Sequence, residues 1–275
     1  MPLCTNTAIE KEYLDRGYAK VNLCSATTAS ALLQRLEIPP AENTFNSGFS
    51  SSIKISDTVM RVKIQEIILE VILPIVEAHF PEYTIVRASF LTKFSDALSE
   101  VPIHYDDTSC DETIDIPFHL WIPLVDTSPE NGCLHVVPYS HHYTNKIRGL
   151  GLPMMDKAHL ELLKASYLLA TPTVLGEAVM YHPGLLHYSP PNNSGKERPA
   201  IVVACIPKNT CPIVYIAQKE IFWKKYYKLN MPIDEYVLWD EKQISNKLSS
   251  YFKFQLPFKK SSKVLKKIIA NSRIL

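Results

Sequence analysis

Nine histidines are the informative residue class in this chain. One of them lies in a particular setting, His104-Tyr105-Asp106, at the end of a stretch with strand character. In a strand, residues i and i+2 point to the same face. His104 and Asp106 can therefore aim an imidazole nitrogen and a carboxylate oxygen at one point. Adding a distant histidine completes the two-histidine, one-carboxylate facial triad, whose open positions serve non-haem Fe(II) chemistry. A lone His-x-Asp also occurs in ordinary solvated loops, so the pair needs companions.

The companions lie downstream. The segment GEAVMYHPGLLHYS ends in His187-Tyr188-Ser189, after a predicted strand and turn. Arg198 follows His187 by eleven residues and opens the apolar stretch PAIVVACIP. A buried arginine needs an anion. Its planar fork suits a carboxylate bound end-on. A histidine ligand followed by such an arginine would seat a dicarboxylate between a metal and a guanidinium. His182, sixteen residues before Arg198, competes with His187 for the distal ligand role.

Three blocks in order now resemble one family. They are His104-Tyr105-Asp106, then PFHLWIPLVDTSPENGCLHVVPYSHH at 117–142, then LGEAVMYHPGLLHYSPPNNSGKERPAIVVA at 175–204. Together they look like the phytanoyl-CoA dioxygenase family, Fe(II)- and 2-oxoglutarate-dependent oxygenases on a double-stranded β-helix. The resemblance implies that His104, Asp106 and His187 bind the metal, and the His-x-Ser match favours His187 over His182. It implies that Arg198 holds the distal carboxylate of 2-oxoglutarate with help from Ser189, and that Trp121 lies near this co-substrate. It implies Fe(II) as cofactor, with 2-oxoglutarate and O2 as co-substrates and succinate and CO2 as co-products. Related halogenases lack the carboxylate that Asp106 supplies, which points to oxygenation. The family pattern has PGSH where this chain reads Pro138-Tyr139-Ser140-His141, and Gly-Asp where it reads Gly176-Glu177; both look like turn positions. The expected reaction is hydroxylation of an aliphatic C–H in a small-molecule or acyl substrate. The same machinery can also desaturate or cyclise. A reading from another class is a non-catalytic jelly-roll binding protein, which has no use for His104, Asp106, His187 and Arg198 together.

The elements that must position these residues follow from pattern. Ala29–Leu36 reads as a short helix, and 43–52 as a loop by composition. Asp57 opens a helical pattern with Val59, Val62, Ile67, Ile68, Val71 and Ile75 on its apolar face, stopped by Pro81. Strand character then dominates: Tyr83–Phe94, Ile103–Thr108, Ile114–Val125, Cys133–Val137, Thr173–Tyr181 and Pro199–Ile206. One helix, 156–169, interrupts them. The predicted class is mainly β with helical additions, a jelly-roll or cupin-like barrel. The chain reads as a single domain, 1–275, with its barrel core at about 83–206. A helical part covers about 1–82, and an extension covers 207–275. The extension mixes a strand, Ile213–Ala217, with helix-like segments.

Other polar residues have plainer readings. His119 shares a strand face with Trp121, either as a substrate or co-substrate contact or, more plainly, as a hydrogen-bonded core histidine. Lys93 can reach the co-substrate, or sit solvated as strand-end lysines do. Asp107, Thr108, Ser109 and Cys110 either line a substrate mouth or form a polar loop. Exposed near such a site, Cys110 would be prone to oxidation. His141 and His142 read as surface or turn residues, His135 as structural, and His79 and His159 as helix residues without a role.

Composition sets the outer bounds. Apolar residues make up 46% and charged residues 21%, close to globular averages. The net charge of +1 excludes a strongly basic nucleic-acid binder. Six of the 29 basic residues fall in 258–275, which holds no acid, leaving 23 basic against 28 acidic elsewhere. That tail carries Val264, Leu265, Ile268 and Ile269 at helical spacing among lysines, a pattern for docking on the acidic body or for peripheral contact with an anionic surface. Six scattered cysteines without a CxxC pair read as free thiols. No apolar run reaches membrane-spanning length, and the N-terminus lacks a signal-peptide core. The expected location is cytoplasmic.

Overall fold

The structure is a computed structural model and describes residues 2–36, 44–46, 48–152, 154–155, 157–219, 224–232, 236 and 252–253. The elements in chain order are α1 (Thr7–Arg16), β1 (Tyr18–Asn22), α2 (Ala26–Arg35), β2 (Thr44–Asn46), β3 (Phe49–Ser51), α3 (Thr58–His79), β4 (Tyr83–Lys93), β5 (Val101–His104) and β6 (Phe118–Pro123). Then follow β7 (His135–Val136), α4 (Lys157–Ser166), β8 (Leu169–Ala170), β9 (Glu177–Tyr181), β10 (His187–Ser189), β11 (Arg198–Pro207), β12 (Ile213–Lys219), β13 (Lys224–Asn230) and β14 (Phe252–Lys253). The basic tail at 258–275 lies outside the described residues.

Two antiparallel sheets make a jelly roll. The larger runs β1-β9-β6-β11-β4-β3-β2 and the smaller β5-β10-β7-β8. A third sheet, β12-β13-β14, comes from the extension. Strand alternation gives the large sheet two different faces. One face, with Phe90, Leu120, Ile122, Met180, Ile201 and Val203, packs in one core with the helices. The other carries Trp121, Val179, Tyr181 and Ala200, and these pack with Leu134, Val136 and Leu185 from the small-sheet side. The second face is therefore the inside of the barrel. The outside of the small sheet is covered by α4, through Ile103, Leu163, Leu186 and Tyr188.

The long helix α3 starts as the sequence indicates. The Asp57 side chain accepts from Val59 N at 2.9 Å and Met60 N at 3.2 Å, capping two otherwise orphaned donors. Its buried stripe is rotated from the expected face. Ile64, Ile68, Ile72 and Val76, four apart, are buried, whereas Val59 is 78% exposed. The helix is apolar on most sides, so pattern alone leaves its facing ambiguous.

Three expectations need correction. The N-terminal part is not purely helical: β1 pairs antiparallel with β9, and β3 extends the large sheet beside β4. The supposed loop at 43–52 holds β2 and β3. In the extension, β12 forms as expected, but its partner 224–230 is strand rather than helix. Among the described residues, no helix is long and apolar enough to cross a membrane.

Candidate active site

β5 ends on His104 and β10 begins on His187. The two residues are direct partners across the antiparallel pair, with ring centroids 4.2 Å apart. His104 Nδ1 lies 2.7 Å from Pro102 O, and His187 Nδ1 lies 2.9 Å from Leu185 O. A carbonyl can only accept, so each Nδ1 carries the hydrogen and each Nε2 keeps its lone pair. Both Nε2 atoms face Asp106 Oδ1, at 3.7 Å from His104 and 3.8 Å from His187. One ligand atom from each of the three residues lies within 4.8 Å of the others. Two oriented imidazoles and a carboxylate on one side are the donor set that suits non-haem Fe(II).

The convergence has a different cause from the expected one. The strand stops at His104, so Asp106 is not on the same strand face. It sits in a loop where its N–H donates to Pro183 O at 2.8 Å and its carbonyl accepts from Arg148 Nε at 2.8 Å. Arg148 is 2% exposed and pairs with the buried Glu112 through both terminal nitrogens. This pair ties the 106–112 loop to 145–148, helped by the bond from Arg148 N to Thr108 Oγ1. Thr108, Ser109 and Cys110 are buried within it, so Cys110 is shielded from oxidants, and burial raises its thiol pKa.

Burial pushes His187 down to about 4 with help from nearby His104, which keeps it neutral, the ligand form. Burial opposes ionisation of Asp106, but His187, His119 and His104 outweigh it and hold the carboxyl below its ordinary range. The side chains of His104 and Asp106 remain 32% and 25% exposed, so the triad is reachable on that side.

Arg198 opens β11 on the inside of the barrel, 2% exposed. Its guanidinium carbon lies 5.2 Å from the centre of the Trp121 ring. Nε and Nη1 have no partner, and burial lowers its pKa to about 10. Beside it, Lys93 is fully buried and donates from Nζ to Ser189 O at 3.0 Å and Pro190 O at 2.5 Å. The solvated reading of Lys93 is therefore wrong. Ser189 directs its hydroxyl hydrogen to Gly132 O at 2.8 Å, for which an anion at Arg198 would compete. Gly132 has φ +78°, and a Cβ there would meet Lys93 Cδ at 2.7 Å. Only glycine meets both demands.

The remaining histidines sort cleanly. His182 is outside the ligand cluster. Its Nδ1 accepts from Gly184 N at 2.9 Å, and its ring lies near His141 and Tyr13. His141 is not a surface residue, since its Nδ1 is buried without a partner. His142 bonds Asp15 O, and His135 bonds Cys133 O. His119 proves to be a neighbour of this cluster, its Nδ1 2.8 Å from Asp106 Oδ2. Tyr139 departs from the family's glycine at a position with φ +66°, where a non-glycine residue is strained.

Comparison with family models decides the relationship. The model for phytanoyl-CoA dioxygenase matches residues 38–200, more than half of the chain. The chain belongs to the phytanoyl-CoA dioxygenase family. This is a family of iron- and 2-oxoglutarate-dependent oxygenases, which agrees with the jelly roll described above. Solved structures of similar fold include AviO1 from Streptomyces viridochromogenes Tue57, at 19% identity, covering 75% of this chain and 96% of that one, with a TM-score of 0.50. The non-heme alpha ketoglutarate dependent carbocyclase SnoK from nogalamycin biosynthesis is 18% identical, covering 76% and 86%, with a TM-score of 0.51. EvdMO1 is 19% identical, covering 73% of this chain and 50% of its own, with a TM-score of 0.52. A comparison with curated proteins gave no match.

Proposed function

We propose that this member of the phytanoyl-CoA dioxygenase family hydroxylates an aliphatic C–H of a small-molecule or acyl substrate, using Fe(II), 2-oxoglutarate and O2. One observation carries the reading. Three ligand atoms converge beside the small sheet, and a buried arginine with two unpartnered nitrogens waits on the inner face of the large sheet. His104 Nε2, His187 Nε2 and Asp106 Oδ1 would hold the iron. Arg198, stacked on Trp121, would take the distal carboxylate of 2-oxoglutarate, with Ser189 beside it. When bound, the iron and 2-oxoglutarate together supply O2 activation, releasing succinate and CO2.

The chain's own residues contribute binding, orientation and exclusion. The Nδ1 bonds of His104 and His187 preset both rings. Trp121, Leu134, Val136 and Val179 wall the interior with apolar surface. The catalytic unit is the barrel at 83–206, within a single domain of 1–275. A non-catalytic jelly-roll binder would have no need of a buried arginine without an anion, which is costly to maintain.

Desaturation and cyclisation are the alternative outcomes, since product depends on where the substrate sits. SnoK, a carbocyclase on the same fold, is a reason to keep cyclisation in the test. The experiment is a substrate screen reading succinate release with Fe(II) and 2-oxoglutarate, followed by product mass. Hydroxylation adds one oxygen, whereas desaturation or cyclisation removes two hydrogens. Succinate release no greater than that of Asp106→Ala, with every substrate, would overturn the enzymatic reading.

A further inference from the structure

The Asp106 carboxylate has two oxygens in different company. Oδ1 faces the Nε2 atoms of His104 and His187. Oδ2 faces the opposite sheet, where His119 Nδ1 and the Tyr181 hydroxyl each donate to it at 2.8 Å. A carboxylate only accepts, so His119 must carry its hydrogen on Nδ1. His119 on β6 and Tyr181 on β9 are direct cross-strand partners. Neighbouring side chains in such a pair stand close enough to reach one atom together. Both are buried, at 7% and 3% exposure, so water does not readily replace either bond.

We propose that His119 and Tyr181 are positioning residues that keep Asp106 a one-oxygen ligand. The proposal rests on the metal reading above. With Oδ2 engaged by two donors, Oδ1 alone is left for the ion. The three residues would then each offer a bound ion one ligand atom and keep room for the co-substrates, whereas a carboxylate turned to bind through both oxygens would take some of that room. The same two bonds tie the loop carrying Asp106 to the large sheet, so the ligand's direction is set by strands that hold none of the metal ligands.

The test uses the purified full chain with Co(II) alone as probe, reading affinity and visible ligand-field absorption. The comparison set is Tyr181→Phe, the double variant His119→Leu with Tyr181→Phe, His119→Asn and Asp106→Ala. Asparagine presents an amide N–H close to the place of the lost Nδ1–H. The double variant should bind Co(II) on the order of 10- to 100-fold more weakly, as loss of outer partners does at other metal sites, and its absorption band should change in shape and intensity. Tyr181→Phe, the mildest change, should move the band in the same direction, and His119→Asn should restore the native spectrum. An unchanged spectrum and affinity in both Tyr181→Phe and the double variant would overturn the positioning role. Wild type binding Co(II) no better than Asp106→Ala would instead overturn the metal reading beneath it.

Discussion

Lys93 on β4 and Arg198 on β11 stand directly opposite each other in the large sheet, two buried basic residues side by side. No carboxylate among the described residues pairs with Arg198, and two of its nitrogens lack any partner. Buried charges are ordinarily paired. The arrangement makes sense as half of a site whose other half arrives with an anion.

Arg198→Met should therefore weaken 2-oxoglutarate while leaving the metal ligands intact. A hydrogen bond to a charged group contributes about 1.5–3 kcal/mol, on the order of a 10- to 100-fold change in affinity. Calorimetric titration of 2-oxoglutarate into the metal-loaded protein checks it. Unchanged affinity would remove Arg198 from the site.

Lys93 makes a separate prediction about protons. Burial and then the neighbouring Arg198 push it down to about 6, so it is largely neutral at about pH 7.5. A carboxylate beside it would raise its pKa again. Binding of 2-oxoglutarate at that pH should then take up as much as one proton. Titration in buffers of different ionisation enthalpy measures the uptake, and Lys93→Met should abolish it. Equal enthalpies in all buffers for the wild type would contradict the assignment.

Much of the barrel was legible because its strands run between 83 and 206 with alternating or continuous apolar patterns. The pairing of His104 with Asp106 was legible as spacing, but the physical reason differs. The strand ends, and Arg148 from forty-two residues away anchors the loop carrying Asp106. Spacing says nothing of such a contact. β1 escaped notice because Lys20 and Asn22 dilute its pattern, and its partner β9 is distant in sequence. The sequence leaves Lys93 open between a co-substrate contact and solvent because its acceptors are backbone carbonyls of Ser189 and Pro190, invisible to any motif. His119 was placed on the right face by its step of two from Trp121. What faced it across the barrel was not legible.

Acid should loosen the contact between the N-terminal helix and the loop before β10. Burial pushes His141 down to about 3 and His182 well below its usual range. Both lie where α1 meets this loop, through Tyr13 beside His182 and His182 N bonding Gly17 O at 2.8 Å. Each folded pKa is below the unfolded value of about 6.5. The unfolded chain therefore binds more protons between those values, and stability falls as pH drops below about 6.5. Each histidine costs about 1.4 kcal/mol per pH unit in that window. Denaturant midpoints at pH 7 and 5 check this, and His182→Gln should shrink the difference by its own share, leaving that of His141. A pH-independent midpoint would contradict it.

The central claim is that His104, Asp106 and His187 form one iron site. Anaerobic titration of Fe(II) in the presence of 2-oxoglutarate tests it most directly, run on wild type, on His104→Ala, Asp106→Ala and His187→Ala, and on His182→Ala as a control. The account predicts one iron per chain in wild type and His182→Ala, and loss of binding in the other three with the fold retained by circular dichroism. Binding that survives in His187→Ala but disappears in His182→Ala, or no binding by the wild type, would contradict it.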